Sequence, residues 1–206
     1  MRILSPELKD ALTEVFNIGV GEAAASLSVM VGEEILLSVP EVELRTRAGL
    51  IAELSADIPG RTTAISESFS GPLSGEAMLL FPERRGLELV RALLREDTPL
   101  EEITPLERDA LVEVGNVLLN ACLGALGNLL QVSMEIRVPE LVVDTVEAIL
   151  EGPAAQTMTE ILFLRVRMTL ASSSISGHVA IAMDVQSSRH LEDLLNTLIR
   201  SVSQAP

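Results

Sequence analysis

Tryptophan and tyrosine are missing from the 206 residues, phenylalanine occurs four times, and aromatics make up only 2% of the chain. Any core must therefore be aliphatic, drawn from the 48% of residues that are hydrophobic. A chain of this length can hide roughly 70% of its unfolded surface, so a sizeable core is available. Cysteine is almost absent as well. Cys122 alone cannot close an internal disulfide, and with two scattered histidines, His178 and His190, it cannot assemble a zinc site. Positive charge is scarce: 15 Lys and Arg face 30 Asp and Glu, for a formal charge of −15. A field of that sign repels nucleic acid and anionic lipid and favours basic partners. No unbroken apolar run approaches the roughly 20 residues that span a bilayer. The start MRILSPELKD carries a lysine and acids where a secretory signal is apolar. These absences leave a soluble, cytoplasmic protein of mixed helix and strand as the expectation.

What is present is a repeat. Asp10-Ala11-Leu12-x-Glu14-Val15-x-Asn17 returns 99 residues later as Asp109-Ala110-Leu111-x-Glu113-Val114-x-Asn116. Each Asn is followed by 22 residues and then a proline, Pro40 or Pro139, within Val-Pro-Glu. Leu73-Ser74-Gly75 before an apolar run is mirrored by Ile175-Ser176-Gly177, at an offset of 102. A tandem duplication explains all three. The chain reads as one domain over 1–206, with repeat 1 at 5–98 and repeat 2 at 104–203.

Each copy follows the same plan. Ser5-Pro6 and Thr104-Pro105 open helices over 6–31 and 105–131, because Ser or Thr at the N-cap with Pro behind it is a strong start signal. Strands are expected at Ile35–Leu44 and Met134–Val143, each ending around its proline, which fits an edge or a bulge. Hairpins follow at 61–69 with 74–81 and at 160–171 with 175–184, through turns at 70–72 and 172–174. Helices close the copies at 83–95 and 187–203, and 46–54 and 144–150 read as short helical connectors. The fold class is α+β: tandem αβββα units around a pseudo-twofold axis, an antiparallel sheet, two long helices packed on it, and a monomeric chain.

At 100° per residue, Asp10, Glu14 and Asn17 fall within an arc of about 60°, and Leu12, Phe16, Gly19, Ala23, Leu27 and Met30 lie opposite. Asp109, Glu113 and Asn116 repeat the arc on the second helix, backed by Leu111, Leu118, Cys122, Leu126 and Leu129. One such stripe alone is an ordinary solvated face. Exposed positions drift fastest after a duplication, so an acid and an amide kept in both copies favour a functional reading. Asp10 and Asp109 read as orienting or capping the helix surface. Cys122 sits on the core stripe and reads as a small buried hydrophobe. His178 and His190 lack a Ser or Cys partner at motif spacing, so a hydrolytic triad has no support. Gly19 and Gly21 read as sites of close helix packing rather than a phosphate loop.

The doubled Asp-x₃-Glu-x₂-Asn motif with its spaced proline resembles the CheC/CheX/FliY family of chemotaxis phosphatases, which act on the response regulator CheY. Glu14-Val15-Phe16-Asn17-Ile18-Gly19-Val20-Gly21, Glu113-Val114-Gly115-Asn116 and Leu141-Val142-Val143-Asp144 carry the likeness, which spans nearly the whole chain. The resemblance implies hydrolysis of an aspartyl phosphate on the regulator. Asn17 and Asn116 would place the attacking water, Glu14 and Glu113 would pair with the regulator's active-site lysine, and Mg²⁺ would be carried by the regulator, with no metal or cofactor on this chain. Asp10, Pro40, Asp109 and Pro139 support the motif. Phe16 departs from the family's usual Gly, which leaves two alternatives: the ring obstructs the first site, or, about 200° from Glu14, it turns into the core and leaves that site open, whereas Gly115 leaves room at the second. The alternative is an adaptor for the receptor deamidase CheD or the flagellar switch, with Asp144 and the Val146–Leu150 connector as a partner surface.

Overall fold

Ser5 accepts a hydrogen bond from the Leu8 N–H, Pro6 occupies the first turn, and the chain enters a 26-residue helix, α1 (Pro6–Val31). It ends where Gly32 takes a left-handed conformation, φ 74°, and its N–H reaches the Ser28 carbonyl. The order continues as β1 (Leu36–Leu37), β2 (Glu41–Thr46), α2 (Arg47–Asp57), β3 (Thr62–Ser70), β4 (Gly75–Pro82) and α3 (Glu83–Leu94). The second copy follows as α4 (Pro105–Leu130), β5 (Glu135–Ile136), β6 (Glu140–Asp144), α5 (Val146–Leu150), β7 (Met158–Leu170), β8 (Ser173–Asp184) and α6 (Val185–Ser203). The computed structural model describes residues 4–32, 34–94, 103–152, 158–170 and 173–203. Hairpin strands and closing helices lie within two residues of their expected limits. Ser172 of the second expected turn lies outside the described residues.

The strands expected to end around their prolines are interrupted there instead. Leu37 faces Met168 and Glu41 faces Arg165, so three residues of the outer strand oppose two of β7. That bulge holds Pro40, which has no N–H to give to the ladder, and pairing resumes with β2. Pro139 sits at the matching break between β5 and β6, opposite β3. Both prolines therefore lie on edge segments, at bulges.

The eight strands among the described residues form one antiparallel sheet, with the path β1-β7-β8-β4-β3-β5; β2 joins on β7 and β6 on β3. Each copy thus lends its first strands to the other copy's hairpin. Exchanging the two copies leaves the set of pairings unchanged: β2 on β7 answers β6 on β3, and β4 meets β8 at the centre. The sheet is covered on both faces, so its strands are apolar on alternate and intervening positions alike. Ala77, Leu79 and Phe81 of β4 join the core beneath α1, α4, α3 and α6, while Met78 and Leu80 face Leu50, Leu54, Val146 and Leu150 of α2 and α5. The two long helices consequently lie on one side of the sheet and the connectors on the other.

Helix α1 and helix α4 each carry an 18-residue window apolar enough by composition to cross a bilayer, which a count of unbroken apolar runs does not reveal. In the fold this surface is turned onto the sheet and onto the other helix. A Cβ at Gly19 would stand 2.7 Å from the Ala121 carbonyl oxygen and 3.0 Å from the Ala125 Cβ, so the helices touch where a side chain is missing.

Candidate functional site

The two long helices are held differently at their starts. Thr104 and Glu107 form a capping box, the Thr104 hydroxyl accepting from the Glu107 N–H and the Glu107 carboxylate from the Thr104 N–H at 2.7 Å. The same carboxylate, 1% exposed, pairs with the Arg91 guanidinium of α3 at 2.8 Å. Its acidity is raised first by the Thr104 N–H and further by Arg91. Arg108 next to it donates to the Leu141 carbonyl, tying α4 to β6. At α1 the cap is Ser5 alone, and Glu7 stays exposed.

On this frame Asp10, Glu14, Asp109 and Glu113 are exposed, and Asn17 and Asn116 are half-buried, on the sides of α1 and α4 turned away from the core. Leu12, Phe16, Ala23 and Leu27 of α1, and Leu111, Leu118, Cys122 and Leu126 of α4, are buried as their helical phase requires, whereas Leu129 is half-buried and Met30, in the last turn of α1, is exposed. Ile18, 53% exposed, adds an apolar spot beside Asn17. Pro40 is buried and Pro139 half-buried in their bulges. Asp144 is exposed at the end of β6, where its carboxylate accepts from the Thr145 N–H at 2.8 Å, just before α5.

The packing decides between the two alternatives for Phe16 and overturns two other expectations. Phe16 is fully buried in the core, so its ring does not stand beside Asn17. Gly115 does not serve to leave room beside Asn116: a Cβ there would lie 2.4 Å from the Ile65 Cγ2, so its absence lets α4 settle onto β3. A Cβ at Gly21 would meet nothing within 4 Å, so this glycine makes no close helix contact, unlike Gly19.

One residue the motif did not mark is Asn120. Its Nδ2 donates to the Asn116 backbone oxygen at 2.9 Å and to the Asn116 Oδ1 at 2.7 Å. The signal was present as an amide four residues beyond an amide, the spacing at which helix side chains meet. The first copy has Gly21 at that position, and among the described residues nothing bonds the Asn17 side chain. Glu67 is the other omission. It is 1% exposed on β3, and neither carboxylate oxygen has a hydrogen-bond partner among the described residues. Burial pushes its pKa up to about 7.

The remaining reactive types are inert by placement. Cys122 is buried, and that burial, with the Glu67 charge next in weight, pushes its thiol pKa up to about 12. Burial lowers the pKa of His178, which stacks on Phe163 with ring centroids 5.5 Å apart. His190 is exposed on α6. Among the described residues no three His, Cys, Asp or Glu side chains gather closely enough to hold a metal ion. The arrangement offers amides and carboxylates on an outward face and no nucleophile, which suits positioning another molecule's reacting groups.

No family model matches the chain. It is 28% identical over 151 residues to the CheY-P phosphatase CheC of Bacillus subtilis (strain 168), covering 71% of each chain. Among solved structures, Thermotoga maritima FliY superposes with a TM-score of 0.74 at 17% identity, over 96% of this chain and 100% of that one. A chain of the Helicobacter pylori structure described as the H. pylori FliG–FliM complex gives 0.67 at 13% identity, over 92% and 100%. A chain of the CheX–CheY–BeF3–Mg²⁺ complex of Borrelia burgdorferi gives 0.51 at 17% identity, over 81% and 96%. In repeated motif, sequence and fold, this chain is thus similar to the chemotaxis proteins of the CheC/CheX/FliY family.

Proposed function

We propose that this protein is a phosphatase for the aspartyl phosphate of a CheY-type response regulator, acting in the cytoplasm, with Asn17 and Asn116 each orienting the attacking water. An acyl phosphate is already activated, so the protein need supply only a water in line with phosphorus. The water oxygen bonds to phosphorus, the aspartyl oxygen leaves as carboxylate, and the water's proton passes to phosphate or solvent. A carboxamide offers one acceptor and two donors for that task, and fixing a water in line is worth several kcal/mol. Glutamine plays the corresponding part in GTPases. Glu14 and Glu113, one turn earlier on the same exposed faces, pair with the regulator's lysine and align the helix. Mg²⁺ belongs to the phosphorylated regulator as part of the substrate.

The observation that carries this reading is the presentation of one Glu-x₂-Asn set on each of two helices on the same side of the sheet, with Cys122 buried beneath them. Phosphate release from a phosphorylated CheY-type regulator at fixed Mg²⁺ tests it. Asn17→Ala with Asn116→Ala together should reduce the rate by about 10²-fold or more, since the aligning group is lost at both sites. Full activity in the double variant ends the proposal.

A second reading is an adaptor for CheD or the flagellar switch, and the fold shared with a chain of the FliG–FliM complex supports its switch arm. Asp144 and α5 would serve as its surface. They lie with α2 across the sheet from the Asn residues, and Ser55 of α2 bonds Glu147 of α5 at 2.5 Å. Regulator or CheD binding without acceleration of phosphate release would favour this reading.

A further inference from the structure

The geometry points to Asn120 as a positioning residue that sets the orientation of the Asn116 amide and makes the second site the pre-organised one; this rests on the water-orienting role proposed for Asn116. A backbone carbonyl only accepts, so the Asn120 group 2.9 Å from the Asn116 oxygen is its NH₂. The same NH₂ stands 2.7 Å from the Asn116 side chain, so the Asn116 atom facing it is the carbonyl oxygen. Both Asn120 hydrogens are thereby spent on Asn116, one on its backbone and one on its side chain. Asn116 keeps two N–H donors and one lone pair on Oδ1, enough to hold a water and contact a phosphoryl oxygen.

The clamp lies on the site itself. At 100° per residue Asn120 falls about 20° from Glu113, within the stripe that carries Asp109 and Asn116. Gly21 occupies that place on α1 and has no side chain to offer, so Asn17 samples its rotamers until a regulator docks. Orienting an amide before docking raises turnover rather than affinity, because the regulator's lysine meets Glu113 in either case.

The test is made in the Asn17→Ala protein, where the second site acts alone, using a CheY-type regulator phosphorylated with phosphoramidate. Asn120→Asp keeps the shape of the side chain and replaces the donor with an acceptor. It should lower kcat about tenfold with KM within about twofold, and Asn120→Gln, which retains an NH₂, should recover part of the loss. The Asn116 side-chain amide resonances should shift in Asn120→Asp and Asn120→Ala without regulator, a readout independent of catalysis. Unchanged kcat in Asn120→Asp and unchanged Asn116 resonances would overturn the inference, as would an Asn17→Ala protein that is itself inactive. A parallel Asn17→Ala/Asn116→Ala protein separates the two claims. If it is inactive while Asn120→Asp is not impaired, only the clamp fails; if it is fully active, the water-orienting role fails.

Discussion

The same eight-residue motif stands on α1 and on α4, yet the two helices are supported in different ways. Helix α1 starts on a serine cap, fills the space beneath its motif with the Phe16 ring, and gives the Asn17 side chain no hydrogen-bond partner among the described residues. Helix α4 starts on a capping box and a buried ion pair, lies directly on Ile65 through Gly115, and has its Asn clamped by Asn120. The sheet beneath differs too. The strand registers against β6 and β2 align Thr62 with Ile161, which sets Glu67 of the first copy opposite Val166 of the second, both buried on the helix side. Duplication kept the outward chemistry and let the supports diverge, so the copies share a motif without sharing its rigidity.

The largest effect expected from breaking this difference is at the start of α4. Glu107→Ala removes the capping box and the charge-assisted hydrogen bond to Arg91, which together should cost about 3–4 kcal/mol in urea unfolding. On α1 the buried Leu8 stands where Glu107 stands on α4, and Glu7→Ala, at the exposed acid one residue before it, should lower the unfolding midpoint far less. Because the Glu107 pKa is depressed in the fold, its contribution is present at neutral pH and is lost as pH falls through the folded value. Equal losses in the two variants would show that the helix starts are alike after all.

Next comes the carboxyl under α4. Glu67 titrates near 7 in the fold against 4.5 for the free group. Between these values the unfolded chain has released the proton and the folded chain has kept it, so stability falls as pH rises across that window. The full loss is about 3 kcal/mol above pH 7. Glu67→Val, which copies the other half, should abolish the slope and raise stability at pH 8, measured by denaturation at a series of pH values. A pH slope that persists in Glu67→Val would assign it to another group. A smaller effect is expected from Gly115→Ala, whose methyl would have to displace Ile65. About 1–3 kcal/mol should be lost, with turnover falling as Asn116 moves off its position. Wild-type stability and turnover in Gly115→Ala would show that close seating on β3 is not what distinguishes the second helix.

Much of this was legible in the residues. Helix starts followed from Ser5-Pro6 and Thr104-Pro105, and helix phase alone put Phe16 about 200° from Glu14, on the core side where it is found. What escaped were facts that need a second segment to exist. The exchange of β1, β2, β5 and β6 between copies depends on a register that no strand carries by itself. Gly115 looked like a neighbour of Asn116 along the chain, whereas its constraint comes from Ile65, 50 residues away in sequence. Glu67 reads as a surface acid in any strand of mixed polarity until both faces of the sheet are found to be covered.

The smallest change sharpens the comparison most directly, by giving α1 what α4 has. Gly21 lies on the exposed face of a regular helix, and a Cβ there meets nothing within 4 Å. Gly21→Ala should therefore stabilise the fold by about 0.5–1 kcal/mol through backbone entropy alone, read as a raised thermal midpoint. It supplies no donor, so turnover at the first site should not change. Gly21→Asn should stabilise less, because Asn is a poorer helix former than Ala, but it places an amide four residues beyond Asn17 as Asn120 stands beyond Asn116. Measured with Asn116→Ala in the background, so that only the first site acts, Gly21→Asn should raise kcat several-fold over Gly21→Ala. Equal rates in the two variants would mean that the sites differ through the seating of the helix on Ile65 rather than through the clamp. A gain in Gly21→Asn would show that a single amide four residues along accounts for the inequality of the two copies.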